Sequence, residues 1–371
     1  MEILNEDLGM VAESAAGLLS QSHPITAFRA LRDSGAALGY DKAIVGEMAE
    51  MGWMGIALPE DVDGADFGFR AAGLIAEEMG KNLTAGPFLS TAILAATVLR
   101  TAGGDTLAQW GPRIAGGDAV IALALEEGVK HRPNRIATTA TKAADGTTLN
   151  GRKSFVVDGV DADRLIVAAK DGDALVLALV DPQTKGVSVT SQVMLDHRNT
   201  AVVSLDDALV PAEAIIAEGD AAQAALDATL RAGRAVAAAE QLGNAKAAAE
   251  QTFEYLRTRK QFGVLIGMFQ ALQHRAADLY CELEQTSSLV AEALNALDQG
   301  RDDAEALSRA AKAKAARVGR QATEEGVQMH GGIGMTDEMD LGLFMKRDRA
   351  LSEFLGDAGH HTEWLLKQRG I

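Results

Sequence analysis

The sequence predicts a multi-domain α+β protein in three parts: an N-terminal α-helical domain over residues 1–115, a central antiparallel β barrel or sandwich over 116–215, and a C-terminal helical bundle over 216–371. Three observations predict it. Apolar residues recur with helical spacing through the first third. Near Gly116 the texture changes to short β-rich runs separated by Asp-Gly, Asn-Gly and Gly-Asp pairs, and from about Ala221 the helical period returns and holds to the end. Strands gathered in one block, rather than alternating with helices, give separate layers instead of a doubly wound sheet.

In the first part, Thr26-Ala-Phe-Arg-Ala-Leu and Lys42-Ala-Ile-Val-Gly-Glu-Met-Ala-Glu-Met-Gly read as helices, the second stopped by Gly52. A turn-rich piece follows, Leu58-Pro-Glu-Asp-Val-Asp-Gly, before helices resume at Arg70–Gly80 and Thr91–Thr101. The β block comprises Ala119–Leu125, Ile136–Thr141, Lys153–Val157, Arg164–Ala169, Ala174–Val180, Gly186–Thr190 and Ala201–Leu205, and Val210-Pro211 ends it. Three long helical segments (221–257, 268–298 and 303–330) and a short terminal one (362–370) make a bundle of four or five helices.

At 371 residues, 47% of them hydrophobic, the chain is long enough for two or three packed units. One cysteine, Cys281, excludes a disulfide framework and fits a reducing cytoplasm. It lies on an apolar helical stretch and is expected in the core. No apolar run approaches the roughly 20 residues of a membrane helix, and the acidic N-terminal start lacks a secretory signal's positive end, so a cytoplasmic protein without membrane insertion is expected. A formal charge of −17 disfavours a nucleic-acid partner but leaves room for a small phosphorylated ligand that senses only a local field.

One such field is legible between the first two long helices of the bundle, where Arg257, Arg259 and Lys260 precede Phe262-Gly263. Three cations beside an aromatic suit a phosphate and a flat ring. The plainer account is that cations in a helix's last turn meet its negative end and Gly263 stops the helix. His360-His361 points to no metal, because consecutive helical residues diverge by about 100° and no ligand spacing surrounds them; they read as surface or helix-start histidines.

With these pieces in hand, the sequence resembles the acyl-CoA dehydrogenase family over essentially its whole length. Glu50-Met-Gly-Trp-Met-Gly-Ile-Ala-Leu-Pro-Glu-Asp-Val-Asp-Gly is similar to the family's LGxxGIxxPEExGG turn. Arg259-Lys-Gln-Phe-Gly with Phe269-Gln270 is similar to its RxxFGxxIxxFQ corner, and Gln328-Met-His-Gly-Gly-Ile-Gly-Met-Thr-Asp-Glu to its QxxGGxGxxxE segment. The resemblance implies a dimer of dimers assembled through the C-terminal bundles, FAD at a subunit interface, an acyl-CoA substrate and electron-transferring flavoprotein as acceptor. It implies α,β-dehydrogenation, in which a carboxylate takes the α-proton and the β-hydrogen leaves as hydride to the flavin. Arg259 would face the FAD pyrophosphate, Phe262 would pack near the adenine, and Gln270, Gln328, Gly331 and Gly332 would line the adenosine end. His274 and His330 would be packing or cofactor-edge residues.

The sequence departs from the family on the flavin side. The TEPGxGSD strand end is replaced by Leu125-Glu-Glu-Gly-Val-Lys-His-Arg, which puts Leu125 where a hydroxyl would bond the ring system. WITN is replaced by Phe155-Val-Val-Asp158, keeping in Phe155 an aromatic that could stack on the ring but losing a hydroxyl at Val157. The usual glutamate base, which precedes a glycine near the C-terminus, falls on Leu355, or on Gly356 if the match is shifted by one. The alternative base position used by some members falls on Gly233, before Arg234. Asp357 is the nearest carboxylate. It can serve as a displaced base, or simply cap the last helix.

Three readings follow. The preferred one resembles the smaller, base-lacking subunits of heteromeric bacterial members acting on dicarboxylic or steroid-side-chain CoA thioesters. A self-sufficient homotetrameric dehydrogenase using Asp357 is the second, and a non-catalytic interaction or scaffold protein of the same fold is the third.

Overall fold

In the computed structural model, which describes residues 6–371, the chain divides into two compact units. One comprises the described part of Met1–Ala30 with Gly73–Thr84 and Arg234–Ile371; the other comprises Leu31–Ala72 and Ala85–Gly233. In chain order the N-terminal helices are α1 (Glu6–Ser22), α2 (Ile25–Ser34), α3 (Ala43–Glu50) and α4 (Gly68–Asn82). A π-helical stretch, Phe88–Ala95, then runs into α5 (Ala96–Ala102), and α6 (Gly104–Ala115) closes the series.

In the unit built around residues 85–233, eight strands form one sheet: β1 (Ile121–Ala124), β2 (Thr139–Ala143), β3 (Gly146–Val157), β4 (Arg164–Asp171), β5 (Ala174–Val180), β6 (Val187–Ser191), β7 (Thr200–Val210) and β8 (Ile215–Glu218). The order is β6-β7-β3-β2-β4-β5-β8, with β1 also paired to β4. The sheet is mixed rather than purely antiparallel, because β1 runs parallel to β4 and β2 meets β4 in parallel at Thr139 and Lys170. The reason lies in the connection. β1 does not turn back on its neighbour in a hairpin: a long excursion and the antiparallel β2–β3 pair intervene before β4 comes to lie parallel to it. Continuous buried runs in β4 and β5 mark the most enclosed part of the sheet, and β6 is largely exposed.

The other unit is dominated by α7 (Gly219–Thr258) from Arg234 onward, a hairpin formed by β9 (Lys260–Gln261) and β10 (Val264–Leu265), then α8 (Gln270–Asp298), α9 (Ala304–His330), α10 (Leu341–Glu353) and α11 (Ala358–Gln368). Alanine and glycine in α7 let α4 approach backbone to backbone. A Cβ at Gly243 would sit 1.8 Å from the Glu77 carbonyl oxygen, and one at Gly80 would sit 2.0 Å from that of Glu240. Polar side chains tie α7 to α10: Gln241 Nε2 donates to Asp348 Oδ1 at 2.7 Å, Asn244 Nδ2 to the Phe344 carbonyl at 3.0 Å, and Arg347 pairs with Glu240 at 2.7 Å.

Two expectations are corrected here. Cys281 is exposed, not core. The buried stripe of α8 runs through Leu279, Leu283, Thr286 and Val290, and a residue two positions from Leu279 is turned about 200° away from it. His360 and His361 do open a helix, in the first turn of α11, but His361 is wholly buried rather than at the surface.

Candidate cofactor-binding site

The corner after α7 is a β-hairpin rather than a helix stop. Val264 pairs with Gln261 and Leu265 with Lys260, leaving Phe262-Gly263 as a two-residue loop. Both have positive φ, +54° and +81°, the signature of a type I′ turn. Gly263 takes that conformation freely, whereas Phe262 adopts it against the steric preference of a bulky residue. Its ring is 90% exposed and meets Phe269 edge-on, with centroids 6.2 Å apart. Beneath the hairpin, Leu256, Ile266 and Met329 form a small core with Tyr255, Leu272 and Ala276 packed on it. The Ile266 amide donates to the Arg259 carbonyl at 2.9 Å, which closes the base of the turn.

The three cations of the corner are not equivalent. Arg257 is paired with Glu254 at 2.9 Å. Arg259 and Lys260 are exposed, and neither has a carboxylate partner among the described residues. Gln270 is exposed at the start of α8. Across the hairpin's core, α9 ends in exposed Gln328 and buried His330, whose Nδ1–H donates to the Gly326 carbonyl at 2.8 Å and whose ring stacks on Tyr255 at 4.2 Å. Gly331 (φ +66°) and Gly332 follow, and a Cβ on either would meet nothing within 4 Å, so the backbone there is open to close approach. His274 is exposed on α8.

In the other unit, Phe155 sits on a β-bulge. Between Lys153 and Val156, β3 carries one residue more than β7, and Phe155 takes φ +54° with its amide 3.4 Å from Gln192 Oε1. Bulges re-aim a side chain, and this one leaves the Phe155 ring half-buried. Leu125 is 5% exposed, and Val157 is half-buried.

The turn joining α10 to α11 holds the positions expected for the base. Leu355 is buried at φ +55°, and Gly356 has φ +106°. A Cβ on Gly356 would lie 2.9 Å from both rings, His360 and His361. Asp357 is the N-cap of α11, its Oδ1 accepting the His360 amide at 2.8 Å. Gly233 is buried inside α7 and offers no side chain. Cations and carboxylates are interleaved nearby. Arg234, 1% exposed, pairs with Glu305 at 2.6 Å, Arg309 pairs with the same carboxylate, and fully buried Lys312 donates to the Leu351 carbonyl at 2.7 Å. Burial brings the Lys312 ammonium down to about 8, against the pull of Asp348. Among the described residues, His361 has no hydrogen-bond partner at either ring nitrogen. Burial, then Lys312, Arg234, His360 and Arg309, hold it far below the usual imidazole range.

Sequence reasoning missed one buried pair. Lys153, wholly inaccessible, donates to Glu127 Oε1 at 2.7 Å, and Glu127 also accepts from Thr138 Oγ1 and from the amides of Ala137 and Thr138. The signal was present. Before the bulge the buried positions of β3 are Thr147 and Leu149, and Lys153 shares their parity.

Comparison with known proteins agrees with this architecture. Residues 6–118 match the profile described as Acyl-CoA dehydrogenase, N-terminal domain, and residues 223–368 match that described as Acyl-CoA dehydrogenase, C-terminal domain. Acyl-CoA dehydrogenase FadE12 of Mycobacterium tuberculosis is 30% identical over 82% of this chain and 81% of its own. A solved variant of the Tcur3481-Tcur3483 steroid ACAD superposes with a TM-score of 0.89 at 30% identity, covering 99% of each chain. The ChsE4-ChsE5 complex from Mycobacterium tuberculosis shares the fold, with a TM-score of 0.88 at 23% identity over 100% of this chain and 99% of that one. On the helical, sheet and helical order, the two profile matches and a relative covering four-fifths of the chain, this protein belongs to the acyl-CoA dehydrogenase family, FAD-dependent oxidoreductases acting on CH–CH bonds.

Proposed function

We propose that this chain is a subunit of a heteromeric acyl-CoA dehydrogenase, holding the adenine end of FAD while a partner subunit supplies the base that removes the α-proton. One observation carries the reading. At the turn where the family's base is expected, the chain offers buried Leu355, Gly356 and an Asp357 already engaged as a helix cap. Without a positioned base, proton abstraction slows by on the order of 10²–10⁴-fold.

The corner fits the adenosine diphosphate portion of FAD. The exposed Arg259 guanidinium suits a diphosphate, Phe262 presents a ring face, Gln270 and Gln328 offer hydrogen bonds, and Gly331-Gly332 permits close backbone approach. A bulky side chain held exposed in a left-handed conformation costs free energy in the free chain, as expected of a group positioned for a ligand or neighbour. Because the ring lies 90% exposed, a second subunit would complete the enclosure. When bound, FAD supplies the electron-accepting chemistry of the family. Phe155 is the residue of this chain suited to a flavin ring, with no hydroxyl at Leu125 or Val157 to bond it.

The likeness to a steroid ACAD whose name joins two components supports steroid-side-chain CoA thioesters as the substrate class, with electron-transferring flavoprotein as the acceptor. Co-expression with a glutamate-bearing homologue tests the reading. About one FAD per two chains is expected, with little turnover by this chain alone. Robust turnover of the chain alone with one flavin per chain, unaffected by Asp357→Asn, overturns it; loss of that turnover in Asp357→Asn would instead assign the base to Asp357.

A further inference from the structure

Helix α11 packs on α9, and His361 is its one fully enclosed side chain. Trp364 and Leu365 are half-buried, while Glu363, Leu366, Lys367 and Gln368 face solvent. The helix is therefore anchored by an imidazole where an aliphatic side chain would ordinarily serve. Among the described residues neither nitrogen of that ring has a hydrogen-bond partner. The Gly356 backbone lies against it, since a Cβ there would sit 2.9 Å from His361 Nε2, and the His360 ring meets it edge-on with centroids 5.1 Å apart.

Charges approach the ring from every helix packed around it. Arg234 comes from α7, and Arg309 and Lys312 from α9, where Glu305 pairs with both arginines. On α10, Glu353 pairs with Arg349 at 2.8 Å and Asp348 accepts from Gln241 at 2.7 Å. At the start of α11, Asp357 accepts the His360 amide. Each of these carboxylates is engaged elsewhere. Burial first, then Lys312, Arg234, His360 and Arg309, all oppose a proton on His361.

We infer that α11 is an acid-released latch: His361 takes up a proton only when the helix leaves its seat on α9, and that departure strips the backing from the Leu355–Asp357 turn. Charged in place, the ring would be a buried cation among cations with no acceptor, whereas in water it is an ordinary imidazolium. Arg317 Nη2 donating to Thr362 Oγ1 at 3.0 Å and Arg309 lying 4.5 Å over the Trp364 ring also hold the helix, and such contacts are individually modest. Neighbouring titrations leave the acid range clear. Lys312, brought down to about 8 by burial, is charged well below that pH whether α11 is seated or released. Asp348, pushed up to about 7 by burial, has the opposite sign: the folded state binds its proton more readily, so acid tightens α10 as it loosens α11. The latch belongs to the fold and stands whether or not the chain is a base-lacking subunit.

Hydrogen–deuterium exchange of the full chain from pH 7.5 to 5, corrected for the intrinsic pH dependence of amide exchange, tests this. With an imidazole pKa of about 6.5 in the released state, the opening equilibrium of residues 358–368 should rise about thirtyfold over that range while α9 and α10 keep their protection. His361→Gln and His361→Leu should each hold the rise below about threefold, and His360→Gln should preserve it in full. Constant protection of α11 in the unsubstituted protein overturns the inference. So does a rise that survives both His361 variants, one that vanishes in His360→Gln, or one shared equally by α9 and α10. Should the His361 variants fail to fold, the unsubstituted chain and His360→Gln still decide, by the size of the rise and its confinement to 358–368.

Discussion

Replacing Lys153 with methionine should destabilise the protein by about 3 kcal/mol at neutral pH, and two routes bear on that figure. Removing one member of a buried ion pair costs roughly 3–5 kcal/mol. Here the low end applies, because Glu127 keeps its three donors from Ala137 and Thr138 and its side chain remains 15% exposed. The second route is linkage. Burial opposes the charged Glu127, but Lys153, Thr138 and the two amides outweigh it and hold the carboxyl at about 2, against an ordinary 4.5. A depressed carboxyl contributes stability that is complete above its unfolded pKa and lost as pH falls through the folded one. The gap caps the contribution of all the partners together at about 3 kcal/mol, and water reaching the carboxylate's open edge screens it below that ceiling. Guanidinium unfolding at pH 7, repeated between pH 5 and 2, reads both. Lys153→Met should lower the unfolding free energy and shrink the acid-dependent loss, and Lys153→Met with Glu127→Leu should recover much of it, since a buried pair exchanged for apolar groups is often neutral. A loss below about 1 kcal/mol with an unchanged acid limb would refute the pair's role.

Other outcomes follow from the same geometry. Because His361 is held neutral in the folded state while an unfolded histidine titrates near 6.5, stability falls as pH drops below that value. The wild type should lose roughly 2 kcal/mol more than His361→Leu between pH 8 and 5, and parallel pH profiles from urea unfolding would contradict this. Gly243→Ala places a methyl 1.8 Å from the Glu77 carbonyl oxygen, so a loss of about 3 kcal/mol or a failure of α4 to dock is expected, read as the shift in Tm. Asp357→Ala removes the α11 cap and should cost about 1 kcal/mol in thermal unfolding while leaving bound flavin per assembly unchanged. Arg259→Gln with Phe262→Ala should weaken FAD retention at least tenfold by fluorescence titration, with little change in secondary structure because the ring is exposed.

The order of helices, strands and helices was legible because periodicity is a local signal. Apolar repeats located α8 and α9 to within a few residues, and turn pairs bracketed most strands. What failed needed a phase or a partner. Cys281 lay in an apolar stretch but on the wrong side of its helix, and His361 became buried only through packing against distant segments of the chain. The corner was found from Arg259, Phe262 and Gly263, but its form was not. Two-residue strands carry too little pattern to be distinguished from a helix end, and the left-handed geometry at Phe262 contradicts what a phenylalanine predicts. The bulge that re-aims Phe155 was invisible for a similar reason, since it is a mismatch in count between β3 and β7 and belongs to neither strand alone.

The geometry between α10 and α11 also constrains what evolution could do next. A single codon change that put glutamate at 356 would force a branch onto a backbone shaped for hydrogen and drive it against two imidazoles, while one at 355 would have to lodge in an oily niche. Placing an acid at 356 would first require the His360 and His361 rings to give way. A turn of this shape is therefore closed to a carboxylate at either position by one substitution alone.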